Sequence, residues 1–325
     1  MISARSLTTM APLPDGHVHE PVLLRECLQL LRPGPGGLFV DATLGTGGHA
    51  EALLDAVGSG GRVIGIDRDE QALGIARARL ARYGGALVTV HGNHQDLAGQ
   101  LAELGFGPVD GILADLGVSS LQLDDPDRGF SFRSDGPLDM RMSPGAGPTA
   151  ADLLASASEI ELRRILAEFG EERAARTIAR AIVREQSRRP IQRTSELAGV
   201  VERALGPAAR RFRIHPATRA FQALRIAVNG EIVGLRQTVS DAVSLLRPGG
   251  RLVVISYHSL EDRAVKHELR ELARGCTCPP RLPVCACEAK STVRVLTPTP
   301  IRPSDLEIAG NPRSRSARLR AGERL

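Results

Sequence analysis

Leu38-Phe39-Val40-Asp41-Ala42-Thr43-Leu44-Gly45-Thr46-Gly47-Gly48-His49 is the stretch whose reading decides the fold. A short apolar run ends in an acid, a glycine-rich bend follows, and Ala50, Leu53, Leu54 and Val57 then recur at helical spacing. This is a strand turning into a helix. Gly58 to Gly61 breaks the helix, and Arg62-Val63-Ile64-Gly65-Ile66-Asp67 is the next buried strand. Further out, Asp69 to Arg82 reads as a helix, Ala86 to Val90 as a third strand and Gly111 to Asp115 as a fourth. Strands alternating with helices imply βαβ units, hence an α/β, doubly wound domain on a parallel sheet. Glycines in the bend permit positive φ and let the backbone approach a ligand without a Cβ in the way. Asp67, ending the second strand, is where an acid accepts hydrogen bonds from ribose hydroxyls, so an adenosine-containing ligand is expected. The bend lacks a strict G-x-G-x-x-G, and Asp41 at its strand end would repel a pyrophosphate but suits a cationic cofactor. S-adenosylmethionine is therefore expected in preference to a nicotinamide dinucleotide.

The α/β rhythm stops after Asp115. Residues 119 to 148 mix acids and arginines with glycine and proline and read as a long loop over the sheet edge. From about Thr149 to Ala217 the pattern is helical, with apolar faces at Leu162, Ile165, Leu166 and Phe169, then at Ala174, Ile178, Ala181 and Ile182. A long helix is expected over Thr218 to Leu246, ended by Pro248-Gly249-Gly250, with Arg251 to Ser256 a fifth strand. The expected organisation is a loose, disordered tail at 1–16, a first part of the α/β domain at 17–140, a helical substrate-recognition insertion at 141–217, and the second part at 218–325.

The length of 325 residues suits about two domains. With 42% hydrophobic and 24% charged residues the chain is neither disordered nor fibrous. No apolar run reaches membrane-spanning length, and Met1 to Gly16 lacks the apolar core of a secretory signal, so a cytoplasmic protein with no membrane partner is expected. Formal charge is +5, and all but two of the 42 basic residues, Lys266 and Lys290, are arginine, the better planar partner for phosphates and bases. Between Glu159 and Arg219 lie 14 arginines against 8 glutamates, and Asn311 to Leu325 holds five arginines and one glutamate. Both regions are candidates for phosphate contact. Aromatic residues are only 3%, so stacking is not the main source of such affinity.

Several polar residues are candidates for the site. Asp115 ends the fourth strand beside the point where the strand order reverses, where open α/β sheets collect ligands. Gln122 follows and can read an adenine edge. Asn93-His94, after the third strand, either closes over the adenine or caps the next helix. Gln222, Arg225 and Asn229 share the polar face of helix 218–246, which suggests a role in binding substrate or ordering a loop. Tyr257 and His258 end the fifth strand on the same rim.

These residues belong to longer runs that resemble a known family. His19 to Leu24, Asp41 to His49, Asp115 to Asp124, Arg128-Gly-Phe-Ser-Phe132, Pro137 to Met142, Ala220 to Glu231 and Ser256 to Arg263 together resemble the bacterial 16S rRNA (cytosine-N4)-methyltransferase family, RsmH or MraW, from about His17 to Leu319. The resemblance implies a class I, Rossmann-like S-adenosylmethionine-dependent methyltransferase with an inserted all-helical domain. It further implies that the substrate is the N4 amine of a decoding-centre cytidine in 16S rRNA of the small ribosomal subunit. Carried over, the family's cofactor contacts fall on Gly47, Gly48, His49, Asp67, Asp115 and Gln122. The position after the third strand, usually aromatic in the family, is His94 here, a departure that leaves adenine stacking less certain. For the chemistry, Asp115 or a carbonyl in Leu116 to Ser119 is the expected hydrogen-bond partner of the N4 proton. Tyr257 is expected to stack on the base and His258 to accept a proton after transfer, although a rim histidine that is only hydrogen-bonded reads equally well.

Cys276, Cys278, Cys285 and Cys287 crowd into twelve positions. Four thiols suit a tetrahedral zinc site, but C-x-C pairs are tighter than usual zinc spacing and equally suit unligated or redox-active thiols. The number of copies is left open, a homodimer being one option.

Overall fold

The structure is a computed structural model that describes residues 21–207, 214–275, 278 and 290–325. The chain forms two compact units, one from the residues up to Leu116 and after Leu235, the other from Gly117–Leu235. The second unit thus begins and ends outside the limits of 141 and 217 read from sequence.

In the first unit the described residues build a seven-stranded sheet in the order β3-β2-β1-β4-β5-β7-β6. The strands are β1 (Leu38–Asp41), β2 (Arg62–Asp67), β3 (Leu87–His91), β4 (Val109–Asp115), β5 (Leu246–Ser256), β6 (Val293–Val295) and β7 (Arg318–Arg324). β1 to β5 are parallel, while β7 runs antiparallel to both β5 and β6. β1 lies between β2 and β4, so the strand order reverses there. The helices of this unit are α1 (Leu24–Leu31), α2 (Gly48–Val57), α3 (Glu70–Arg79), α4 (Leu97–Glu103), α11 (Leu235–Leu245), α12 (Ser259–Leu272) and α13 (Asp305–Gly310). Crossover helices cover a parallel sheet on its faces, which is why Phe39, Val40, Val63, Ile64 and Ile66 form uninterrupted apolar runs at 2% exposure or less. The expected α/β class and its first five strands are present.

One expectation for this part of the chain is overturned. The single helix over 218–246 is two helices, α10 (Thr218–Asn229) and α11, because Gly230 closes the first in a left-handed cap (φ 62°) and Gly234 turns again (φ 78°). The apolar steps continue across the break, so the sequence shows one stripe where the backbone makes two pieces. The basic tail 311–325, a candidate for phosphate contact, is built into the sheet. Its Arg318–Arg324 stretch is β7, with Leu319 and Ala321 fully buried, Arg318 and Arg320 paired to Asp262, and Arg324 bonded to the carbonyls of Ser244 and Leu246.

The second unit is helical, as expected: α5 (Ser120–Asp124), α6 (Ala150–Ser156), α7 (Glu159–Glu168), α8 (Ala175–Gln186), α9 (Thr194–Leu205) and α10. Leu162, Ile165 and Leu166 of α7 and Ile178, Ala181 and Ile182 of α8 are buried in one core with Phe221 and Leu224 of α10. The charged loop before α6 is tied by its own charges. Arg141 pairs with Asp139 at 2.6 Å, Arg128 donates to the carbonyls of Arg141 and Met142, and Asp135 holds Arg193 at the start of α9.

Candidate active site

Parallel register brings Asp41, Asp67 and Asp115 to one rim of the sheet, each closing its strand at the carboxyl end. Backbone amides hold the first two carboxylates, and a side chain holds the third. Asp41 Oδ1 accepts from Thr43 N at 3.2 Å. Asp67 accepts from Gly45 N at 2.7 Å on one oxygen and from Asp69 N at 2.9 Å on the other. The Asp115 amide donates to Thr43 Oγ1 at 2.6 Å, and its Oδ1 accepts from the Tyr257 hydroxyl at 2.9 Å. The glycine bend and the three strand ends are therefore one hydrogen-bonded assembly.

Three acids so placed disfavour one another's charge. Burial pushes Asp41 up to about 6; His49 and the Thr43 amide oppose this, while Asp115 and Asp67 add to it. Burial pushes Asp115 up to about 7, with the Glu261 charge adding and the Tyr257 hydrogen bond opposing, though 24% of its side chain remains exposed. Asp67 is raised as well, again by burial. Burial lowers His49, whose Nε2 donates to Val22 O at 3.0 Å and whose Nδ1 faces Asp115 Oδ2 at 3.9 Å. A carbonyl only accepts, so the proton of neutral His49 sits on Nε2 and the Nδ1 lone pair faces Asp115. This rim suits a ligand that carries positive charge.

The glycines divide the work differently from the sequence reading. A Cβ on Gly47 (φ 86°) would meet Leu80 Cδ1 at 2.7 Å, and one on Gly48 would meet Pro21 Cγ at 2.6 Å. Their missing side chains let α2 seat against its own protein. Gly45 (φ 52°) instead has nothing nearer than Thr43 O at 4.0 Å, so the open approach is there. Thr43 and Gly45 were passed over as site residues, although both lie inside the quoted bend.

The remaining candidates are placed as follows. His94 begins a short 3-10 turn after β3 and does not cap it; Asn93 does, through Gln95 N. Burial and the neighbouring Arg68 lower His94 to about 4, and its Nε2 is closed off with no hydrogen-bond partner. Tyr257 donates its hydroxyl to Asp115 and so holds that carboxylate, and burial beside Asp115 raises its phenol well above 10. His258 is the N-cap of α12: its Nδ1 accepts from Glu261 N at 3.4 Å and its Nε2 lies 3.1 Å from Glu261 Oε1. Glu261, also overlooked, accepts from Tyr257 N at 2.9 Å, and the capping box His258-Ser-Leu-Glu261 was its signal.

Gln122 belongs to the second unit, where it forms a capping box with Ser119 at the start of α5. Gln222 donates to Phe169 O, and Arg225 makes a two-pronged pair with Glu231 at 2.7 and 2.9 Å. Asn229 donates to Met140 O and accepts from Met142 N. All three polar groups of α10 bond other protein groups, and Asn229 alone bonds the charged loop. Of the four clustered cysteines only Cys278 is described; Cys276, Cys285 and Cys287 lie outside the described residues, and nothing supports zinc. No helix among the described residues is long and apolar enough to cross a membrane.

The arrangement has clear relatives. Residues 16–325 match the family model of the MraW methylase family. The chain is 54% identical over 312 residues to a "Ribosomal RNA small subunit methyltransferase H" of Thermomicrobium roseum, covering 96% of this chain and 95% of the relative. It is 52% identical over 307 residues to the protein of that name in Geobacter sulfurreducens, covering 94% and 99%. Among solved structures, a putative rRNA-methylase from Clostridium thermocellum is 14% identical with a TM-score of 0.42 over 95% of this chain and all of that one, too distant to argue from. The sheet with its antiparallel β7, the acid-lined rim and the match along nearly the whole chain agree: the chain is a member of the MraW methylase family.

Proposed function

We propose that this protein methylates the exocyclic N4 of a cytidine in the decoding region, at the P site, of 16S rRNA within the small ribosomal subunit, with S-adenosylmethionine as methyl donor, and so tunes translation initiation and fidelity. The observation that carries the reading is the Asp115 carboxylate, open on one side at the end of β4, raised to about 7 and aimed by Tyr257 and Thr43.

The residues fit the donor. Asp67, fixed by two backbone amides, keeps lone pairs for ribose hydroxyls, and Gly45 leaves the backbone open beside it. Asp41 and Asp115 match a sulfonium and an amino group by charge, and His94 holds a neutral ring at the position after β3. When bound, S-adenosylmethionine supplies an electrophilic methyl group.

The protein must make a poor nucleophile react. The N4 lone pair of cytosine is delocalised into the ring, so attack builds positive charge on nitrogen. Asp115 accepts a hydrogen bond from an N4 proton, relieves that charge, and takes the proton once the new bond has formed. A carboxyl near 7 is matched to that task, since an ordinary carboxylate is a far weaker base. Tyr257 donates to Oδ1 and His49 Nδ1 lies 3.9 Å from Oδ2, so both oxygens of the carboxylate are positioned by neighbours. In the second unit, Arg163, Arg173, Arg176, Arg184 and Arg188 are exposed and have no carboxylate partner among the described residues, which suits RNA phosphates.

The test is to incubate the protein with labelled S-adenosylmethionine and isolated small subunits, then digest the rRNA and separate its nucleosides by mass spectrometry. Label in N4-methylcytidine is expected. Label in another nucleoside, or in duplex DNA instead, would refute the assignment.

A further inference from the structure

The opposite rim of the same sheet carries a basic site. A cavity of about 420 Å³ opens where the amino ends of β1, β4 and β5 meet the carboxyl end of β7. Arg32, Arg247, Arg251 and Arg294 line it, against two carboxylates, Asp110 and Glu323, so the lining carries an excess of two positive charges. The acids are already engaged. Asp110 Oδ2 accepts from Leu38 N at 2.7 Å and its Oδ1 pairs with Arg247. Glu323 Oε2 holds Arg251 at 2.8 and 3.0 Å, and its Oε1 pairs with Arg294.

The arginines play two parts. Arg251 is buried and spent, its remaining terminal nitrogen donating to Leu30 O at 2.8 Å. Arg247 and Arg294 are 62% and 61% exposed and commit one nitrogen each to a carboxylate, leaving donors aimed at solvent. Arg32 ends α1 in a left-handed conformation (φ 52°) and makes no ion pair among the described residues. Cations held by acids from behind, with their forks turned outward, form a preorganised receptor for phosphate. The one aromatic ring in the lining, Phe39, is 2% exposed, so a base finds no face to stack on.

We infer that this cavity binds backbone phosphates of the RNA substrate, a contact separate from the acid-lined rim by the length of β5 from Arg251 to Ser256, roughly 17 Å at ~3.3 Å per residue. The inference rests on the proposed RNA substrate. It gives an extended RNA two points of contact on the sheet unit, one at the reacting base and one that reads no sequence.

The test uses the full chain and single-stranded oligouridylate, which contains no cytidine and so binds independently of the methylation reading. Arg247→Gln/Arg294→Gln removes both charges but keeps donors for Asp110 and Glu323; Arg32→Ala removes an arginine with no acid partner to strand. Affinity in a salt series is expected to fall about 3- to 10-fold per variant, and the slope of log affinity against log salt to shrink by about 0.7 per arginine lost. S-adenosylmethionine affinity by calorimetry is expected to stay unchanged. Unaltered oligouridylate affinity and slope in both variants would overturn the inference, even if small subunits are still methylated. Loss of ATP or pyrophosphate binding with oligouridylate unaffected would overturn it too, by assigning the site to free nucleotides.

Discussion

An aspartate that titrates near 7 stores a pH signature in the folded chain. Folding raises Asp115 from 3.8 to about 7 and Asp41 to about 6, so the proton-bound form is favoured in the fold. The stability linked to these groups is therefore complete below about pH 4 and is lost as pH rises through 6 and 7. His94, lowered to about 4, acts in the opposite sense over the acidic part of that window, so the informative quantity is the difference between two proteins. Asp115→Asn is expected to melt higher than wild type at pH 8 and to differ little at pH 4, with a span of up to roughly 4 kcal/mol set by three pKa units. Thermal melts across pH measure it; parallel curves would remove Asp115 as the source. The same physics predicts that S-adenosylmethionine, a cation at its sulfur and amine, drives protons off Asp115 and Asp41 near pH 6.5. Calorimetry in two buffers of different ionisation enthalpy should register net proton release, and Asp115→Asn should reduce it. Turnover should rise through an acid limb below 7, because the bound donor favours the ionised carboxylate, and fall at least 100-fold in Asp115→Asn with a smaller change in donor affinity. Full turnover in that variant would exclude the base role. Tyr257→Phe should shift the limb upward, because the hydroxyl that favours the ionised carboxylate is gone.

At the scale of elements, Asn229 decides whether the 124–148 loop is held. Its side chain bonds Met140 O at 2.7 Å, Met142 N at 2.8 Å and Arg225 O at 2.9 Å, and Met140 sits at φ 62°, a conformation that needs support. Asn229→Ala leaves buried backbone groups unpaired and should cost about 2–4 kcal/mol, visible as a lower melting temperature and faster proteolysis within 124–148. An unchanged melt and digestion pattern would show the loop anchored elsewhere. The sequence carried part of this. It placed Gln222, Arg225 and Asn229 on one face and offered a loop as their partner, but spacing along a helix does not say which carbonyl, 89 positions away, will arrive. The same limit applies to Gly47 and Gly48, whose role depends on Leu80 and Pro21 packing against them, and to His258, whose place at the head of α12 was visible only as a capping pattern. By contrast β1, β2 and the acids Asp41, Asp67 and Asp115 were legible, because strand and bend signals are local and parallel register carries strand ends to one rim automatically. The arginines of α8 were legible as charge alone. Arg176 and Arg184 recur at helical spacing on its exposed side, and Arg176→Gln/Arg184→Gln should weaken binding to small-subunit rRNA several-fold while leaving the melt unchanged; full affinity would move the RNA face elsewhere.

For the whole molecule, the decisive strand is the last one. β7 inserts between β5 and β6 and contributes to three things at once: it pairs β5 from Arg251 to Ser256, it brings Arg318 and Arg320 to Asp262 of α12, and it sends Glu323 to Arg251 and Arg294. Read as charge, the segment is a basic arm; read as alternation, Leu319 and Ala321 face the core while Arg320 is buried because Asp262 waits for it at 2.5 Å. The two readings predict different failures. If the segment were an arm, removing residues 318–325 would weaken RNA binding and leave the fold intact. As a sheet strand, its removal exposes the β5 edge and leaves Asp262 without its arginines and Arg251 without its carboxylate, so the truncated chain should be insoluble or lack a cooperative melt. Arg320→Ala separates the terms more finely. It keeps the strand but leaves Asp262 only Arg318, and should cost about 3–5 kcal/mol with no loss of oligouridylate affinity in the protein that remains folded at 10 °C. A stable Arg320→Ala protein with weakened RNA binding would assign this strand a direct phosphate contact instead.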